Sequence, residues 1–265
     1  MIQLSVLDLL VAAVLVLLLA YLTWRNGLGL SQSLLVSATR TAAQLSLVGL
    51  VLKALFADGN LHWVVLMAVV MLLVAGREVM ARQQHRLRGG WGFSVGTLSM
   101  FLSSFTVTLF ALLVIIRNEP WYAPQYAIPL LGMLLGNTMN GVALSVDRLT
   151  QTAWDQRETI EAQLMLGLRW QEAMLELRRQ ANRAGLTPII NAMAAAGVVS
   201  LPGMMTGQIL AGAPPWEAVK YQILIMFLIA AGSGLGTLAA VSIASRRLFD
   251  ERERLRLDRL HPGRP

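Results

Sequence analysis

The 265-residue sequence has no cysteine. Disulfides, thiolate metal sites and cysteine nucleophiles are therefore excluded. Charge is scarce too: 14% of residues are Asp, Glu, Lys or Arg, against roughly 25% in a soluble domain. Histidine occurs three times, at His62, His85 and His261, each at or beyond the end of an apolar run. No His-Glu-x-x-His pattern or Ser/His/Asp set is present. No Gly-x-x-x-x-Gly-Lys-Ser/Thr segment occurs either, so the chain has no P-loop with which to hydrolyse a nucleotide. An enzyme reading has little to stand on. Within the apolar runs no His or carboxylate cluster has metal-ligand spacing, and the sequence names no metal ligands. The 13 methionines are soft thioethers that suit Cu(I), but in an apolar span Met is chiefly packing filler.

What the sequence has is apolar length. A membrane-spanning helix needs about 20 predominantly apolar residues, and seven runs qualify: 4–24, 34–56, 61–79, 93–116, 127–146, 187–211 and 219–245. The expected fold class is all-α, a polytopic membrane protein with about seven transmembrane helices in one domain. The first run lacks a basic leading segment. Its early charge is Asp8, and its first cation, Arg25, follows the apolar stretch, so it reads as a retained span rather than a signal peptide.

Basic residues fix the expected orientation. With the N-terminus outside, eighteen of the 22 Lys and Arg fall on the inner side, Lys53, Arg117 and Lys220 fall outside, and Arg40 lies within a span. The positive-inside rule then places the C-terminus in the cytoplasm of a bacterial inner (plasma) membrane protein. The net charge of +7 is accounted for by inner loops and needs no nucleic acid partner. The basic tail, 246–265, reads as an anchor on the inner leaflet.

The longest polar segment, 147–186, lies between the fifth and sixth spans. Ile160, Leu164 and Leu168 recur every four residues and Trp170, Met174 and Leu177 follow, so it reads as helix, turn, helix. Two readings are open: an amphipathic pair on the membrane surface, or an arm that docks a soluble partner. As a docking arm its contact face is Ile160 and Leu164, with Glu158 and Glu161 beside it. Gly167 would supply the positive φ of the turn.

Polar residues inside spans must be satisfied without water. Ser33, Ser37, Arg40, Thr41 and Gln44 form a stripe on the second span. Asn137, Asn140 and Leu144 share a face of the fifth, continued by Asp147. Met204 and Gln208 lie one turn apart on the sixth, one turn after Ser200. They read either as interhelical glue or as a substrate pathway built from Arg40, Gln44, Asn137, Asn140, Asp147, Met204 and Gln208. Arg40 suits an anionic solute unless Asp147 neutralises it. Thr187-Pro188 reads as an N-cap and first helical position. Pro129 falls in the first turn of the fifth span. Pro202-Gly203, well inside the sixth span, predicts a kink or a broken helix, serving either packing or a functional hinge. Gly232-Ser233-Gly234-Leu235-Gly236 predicts a close packing seam.

Glu161-Ala162-Gln163, three residues, then Gly167 resembles the cytoplasmic EAA-type loop of ABC transporter permeases, departing from it at Gln163 and in lacking a following Leu-Pro. Longer strings are more specific: 132–141, running on to Asp147-Arg148-Leu149, then 200–212, and 221–227. Together they resemble the FetB family of ABC permeases over about residues 30–250. The resemblance implies that Glu161, Ala162 and Gly167 couple to a separate cytoplasmic ATPase. That subunit would carry ATP and Mg, leaving this chain without a cofactor. It also implies a permease homodimer and ATP-driven export, of iron in bacterial members and of a nucleotide sugar in plant relatives. The other classes are an ATP-independent carrier and a membrane scaffold that binds an ATPase but moves nothing.

Overall fold

Six apolar runs form helices long and apolar enough to cross a membrane in a computed structural model that describes residues 5–261. Among those residues no strand occurs, only isolated β-bridges. The protein is an all-α polytopic membrane protein. It divides between Asn60 and Leu61 into two units.

The first unit is a helical hairpin. Helix α1 (Val6–Arg25) starts with a capping box: Asp8 Oδ2 accepts the Ser5 backbone N–H at 2.7 Å, and the Ser5 hydroxyl accepts the Asp8 N–H at 3.3 Å. Gly27 and Gly29, at φ +66° and +67°, reverse the chain into α2 (Ser31–Asp58). The Thr23 and Ser31 hydroxyls join the two helices at 3.0 Å. Apolar side chains cover α1 on all sides and most are exposed, the pattern of a helix solvated by lipid rather than water.

The second unit is built around α6 (Pro124–Asp155), 32 residues and roughly 48 Å long. It packs against α3 (Leu61–Arg82), α9 (Leu175–Ala195) and α11 (Pro215–Arg247). A further span runs from Trp91 to Ile116: α4 (Trp91–Met100), a π-helical turn (Phe101–Phe105), α5 (Thr106–Phe110) and a second π-helical turn (Ala111–Ile116). Short helices α7 (Arg157–Met165) and α8 (Trp170–Ala173) lie between α6 and α9, and α10 (Gly203–Leu210) lies between α9 and α11. Small residues set the crossings. A Cβ on Gly185 would lie 2.6 Å from the Gly141 carbonyl oxygen, and one on Gly236 would lie 2.7 Å from Ser103 Oγ. The glycine string on α11 is thus a packing seam, as its sequence predicts. Close backbone approach is how helices gain attraction where lipid is as apolar as leucine.

Two expected boundaries move. The run 187–211 is not one helix. Thr187 and Pro188 sit inside α9, which starts at Leu175, and the Thr187 hydroxyl donates back to the Arg183 carbonyl at 2.7 Å instead of capping. The expected break is present but earlier than Pro202: Ala196 turns extended, Gly197 takes φ +84°, and Pro202 becomes the residue before α10. The polar segment also starts later than expected. Asp147 to Asp155 continue α6, so Pro129 is an interior residue of a helix that opens on Pro124, and the arm proper begins at Arg157.

Candidate functional site

Helix α7 leaves α6 at Gln156 and runs nine residues. Its end is fixed by the chain itself: the N–H groups of Leu166, Gly167 and Leu168 donate to the carbonyls of Ala162, Leu164 and Gln163, with Gly167 at φ +90°. This is a left-handed helix stop that glycine adopts without strain. Arg169 then donates its N–H to Glu172 Oε2 at 3.0 Å, opening α8. The element is the helix–turn–helix that the sequence predicts, but its apolar face does not point outward. Ile160 is 1% exposed and belongs to the core, and Leu164 packs against that core. This corrects the expected contact face. The 3.6-residue period shows that one face is apolar, not what covers it. The most exposed large apolar side chains of the arm are Met165 and Leu166 at the tip, at 83% and 81%, with Leu168 beyond the turn at 38%. Glu158, Glu161, Ala162 and Gly167 are exposed as well.

The C-terminal tail closes over this arm. Asp250 accepts the N–H groups of Arg252 and Arg254 and the Arg254 Nε–H, each at 2.9 Å. The Arg254 backbone N–H is the main reason its carboxyl is held below the usual range. This turn carries Glu253, at φ +59°, whose Oε2 accepts the Trp170 N–H at 3.1 Å. The Trp170 ring lies 5.6 Å from that of Phe249, with the Arg246 guanidinium 5.6 Å from its centroid. Leu260 bridges to Leu87, and the His261 N–H donates to the Arg86 carbonyl at 2.8 Å. His85 stacks on Trp154 at 4.9 Å. The basic tail is therefore a folded clasp over the loop after α3, the arm and the end of α11. Between arm and tail lies a cleft of about 730 Å³, walled by Glu161, Leu164 and Met165 on one side and Arg252, Glu253 and Leu255 on the other. The sequence reading missed this clasp. Leu248, Phe249, Leu255 and Leu260, apolar residues spaced through a run of arginines, were the signal for it.

The intramembrane polar residues take several roles. Asn140 Oδ1 accepts from Arg82 at 2.7 Å, and Asp147 Oδ1 accepts the Gln84 N–H at 2.6 Å, so one face of α6 holds the end of α3 and the loop beyond it. Asn137, exposed on the same face, bonds its own helix through the Met133 carbonyl. Arg40 and Gln44 are exposed on α2 in the first unit. Met204 and Gln208 lie on α10, whose neighbour is α11. Buried more deeply are small hydroxyl residues that the sequence reading did not place in a site: Ser99, Ser103, Ser104, Thr138, Ser145 and Thr237, each at most 3% exposed, with Ser233 of the glycine seam at 1%. The π-helical turn explains the adjacent pair. It adds a residue to the helical turn, so Ser103 and Ser104 both face inward. Ser104 reaches Thr138 at 3.2 Å. Among the described residues no group of three or more His, Asp or Glu side chains is placed to hold a metal ion.

The chain matches, over residues 6–249, the family described as "Uncharacterised protein family (UPF0014)". It is 41% identical to "UPF0014 membrane protein slr1647" of Synechocystis over 237 residues, 89% of this chain and 90% of that protein. It is 32% identical to "Protein ALUMINUM SENSITIVE 3" of Arabidopsis thaliana over 238 residues, covering 90% and 85%. It is 30% identical to "Probable iron export permease protein FetB" of Escherichia coli over 249 residues, 92% of each chain. No solved structure matches significantly.

Proposed function

Because the chain belongs to the UPF0014 family of membrane proteins, we propose that it is the permease subunit of an ATP-driven exporter, with iron as its cargo. The observation that carries this reading is the arm: a helix–turn–helix whose glycine turn holds Met165 and Leu166 out from the core on a chain that has no P-loop. Two exposed apolar side chains at the tip of a charged element form a plug for a groove on another protein. ATP and Mg would then reside on a separate cytoplasmic ATPase, and the chain would work as a homodimer with its N-terminus outside and its clasped tail in the cytoplasm. Iron follows from the E. coli relative, whose name describes an iron export permease.

In this reading the polar face of α6, Asn137, Asn140 and Asp147, with Met204 and Gln208 on α10, serves the solute's path, and the break before Pro202 and Gly203 is the hinge. A second cargo, a nucleotide sugar or another anionic solute, is favoured by Arg40, a guanidinium within the apolar length of α2. The test is uptake of radiolabelled iron into everted vesicles holding this chain with a co-expressed ATPase. ATP-dependent uptake is expected. Uptake without ATP would assign an ATP-independent carrier, ATPase binding without flux a scaffold, and competition by a nucleotide sugar the anionic cargo.

A further inference from the structure

The break between α9 and α10 opens onto a cavity of about 500 Å³ at the end of α11 remote from the clasp. Gln222, on its wall, is 24 residues before Arg246, roughly 36 Å along the helix, so the cavity is separate from the arm and its cleft. Met193 comes from the last turn of α9, Pro202 from the break, Met205 from α10, and Gln222, Met226 and Phe227 from α11. Gln222 and Met226 are one helical turn apart and so share a face. Backbone that leaves the helix within a membrane segment is tolerated where it lines a cavity, and broken helices mark binding sites in transporters for that reason.

Two features of the wall select a ligand. The first is an acceptor with nothing to accept from: Gln222 is 8% exposed, and its Oε1 is shut off from solvent and takes no hydrogen bond. A buried acceptor of this kind is stabilised by any ligand that brings an N–H or O–H to it. The second is the lack of charge. Glu217 and Lys220, the charged residues of α11 nearest the cavity, are exposed and bond each other at 2.7 Å. An ion entering would lose its hydration and meet no counter-charge. Three thioethers give the remaining wall an adaptable, polarizable surface. The volume lies in the range of about 300–1,000 Å³ of clefts that hold small molecules.

We propose that this cavity binds an uncharged, largely apolar small molecule that donates one hydrogen bond to Gln222 Oε1. The site stands apart from ATP coupling and is measured without any ATPase.

The probe is N-phenyl-1-naphthylamine, which is uncharged, carries one N–H and fluoresces in apolar surroundings. It is titrated onto the full chain in phosphatidylcholine nanodiscs, and linear partition into empty nanodiscs is subtracted. One saturable site per chain is expected. Gln222→Leu should weaken it about tenfold, and Met205→Trp, which fills the space, should abolish it. The N-methylated dye, which has no donor, should bind the unaltered chain about tenfold more weakly than the parent dye. This last comparison needs no variant to fold. Absence of a saturable component, as when lipid already fills the cavity, overturns the proposal. Equal affinity of the two dyes overturns the donor to Gln222, and with it the site as described. Either result leaves the ATPase-dependent reading of the arm untouched.

Discussion

The Glu253 carboxylate accepts the backbone N–H of Trp170 at 3.1 Å, and this one bond ties the tail to the second helix of the arm across 83 residues of sequence. Glu253 makes it from φ +59°, a conformation that side-chain-bearing residues adopt at a cost and that the Asp250 turn enforces. Glu253→Ala removes an acceptor whose charge strengthens the bond and should loosen the arm locally by about 1 kcal/mol, less than the roughly 1.5–3 kcal/mol of a buried bond to a charged group because this one is partly exposed. A spin label at Leu166→Cys reads this directly, because the chain has no native cysteine. The spectrum should narrow in Glu253→Ala and not in Glu251→Ala.

Gly167→Val places a β-branched residue at φ +90°, a strain of about 1–3 kcal/mol. The turn of the arm should change shape while the spans insert normally. Pull-down of the co-expressed ATPase should fail, as it should for Leu166→Asp, which leaves the turn intact. Ile160→Ala acts differently. Its side chain is in the core, so it should cost about 2–5 kcal/mol of stability, visible as a lowered unfolding temperature.

Gly185→Ala sets a methyl group 2.6 Å from the Gly141 carbonyl oxygen. Backbone cannot yield as a flexible side chain can, so a loss of about 1–3 kcal/mol is expected. Gly136 on α6 has open space around its Cβ position, and Gly136→Ala should be neutral or stabilising by about 0.5–1 kcal/mol through helix propensity. Thermal unfolding in detergent distinguishes the two.

The tail should resist acid. The Arg256 guanidinium, bonded to Asp258 at 2.8 and 2.9 Å, lowers the Asp258 carboxyl from 3.8 to about 2. Asp250 is shifted in the same direction. A depressed carboxyl contributes stability that is present above its unfolded value and is lost as pH falls through its folded value. A spin label in the tail should therefore keep its line shape from neutral pH to about 4 and give a narrower spectrum as pH falls from 3.8 toward about 2.

The proposed orientation is checked with single cysteines at Asn60, Gln84, Asn118 and Gln163 and an impermeant thiol reagent. Labelling from outside is expected at Asn60 and Asn118 alone. Outside labelling at Gln163 would reverse the chain in the membrane and remove the arm from reach of a cytoplasmic ATPase.

The sequence by itself determined whatever follows from local chemistry and solvent. Runs of about 20 apolar residues can be solvated only by lipid, so five of the seven expected spans appear as single continuous helices, and the fourth, 93–116, appears as one helical run interrupted by π turns. Glycine after a helical run predicts a left-handed stop, and Gly167 makes one. Glycines on one helix face predict close crossings, and Gly232 and Gly236 make them. Tertiary structure decided what each face meets. Ile160 carries the same periodicity whether it faces a partner or the core, and the packing of α7 put it in the core. Thr187-Pro188 carries the same cap signature whether or not a helix already runs through it, and contacts of α9 with α6 carried the helix past it. The tail's arginines read as a lipid anchor until Leu248, Phe249 and Leu260 found a buried site, a long-range closure that no local pattern encodes. Ser103 and Ser104 both turn inward because a π turn changes the helical period at that point, and a period read from sequence assumes that it stays constant.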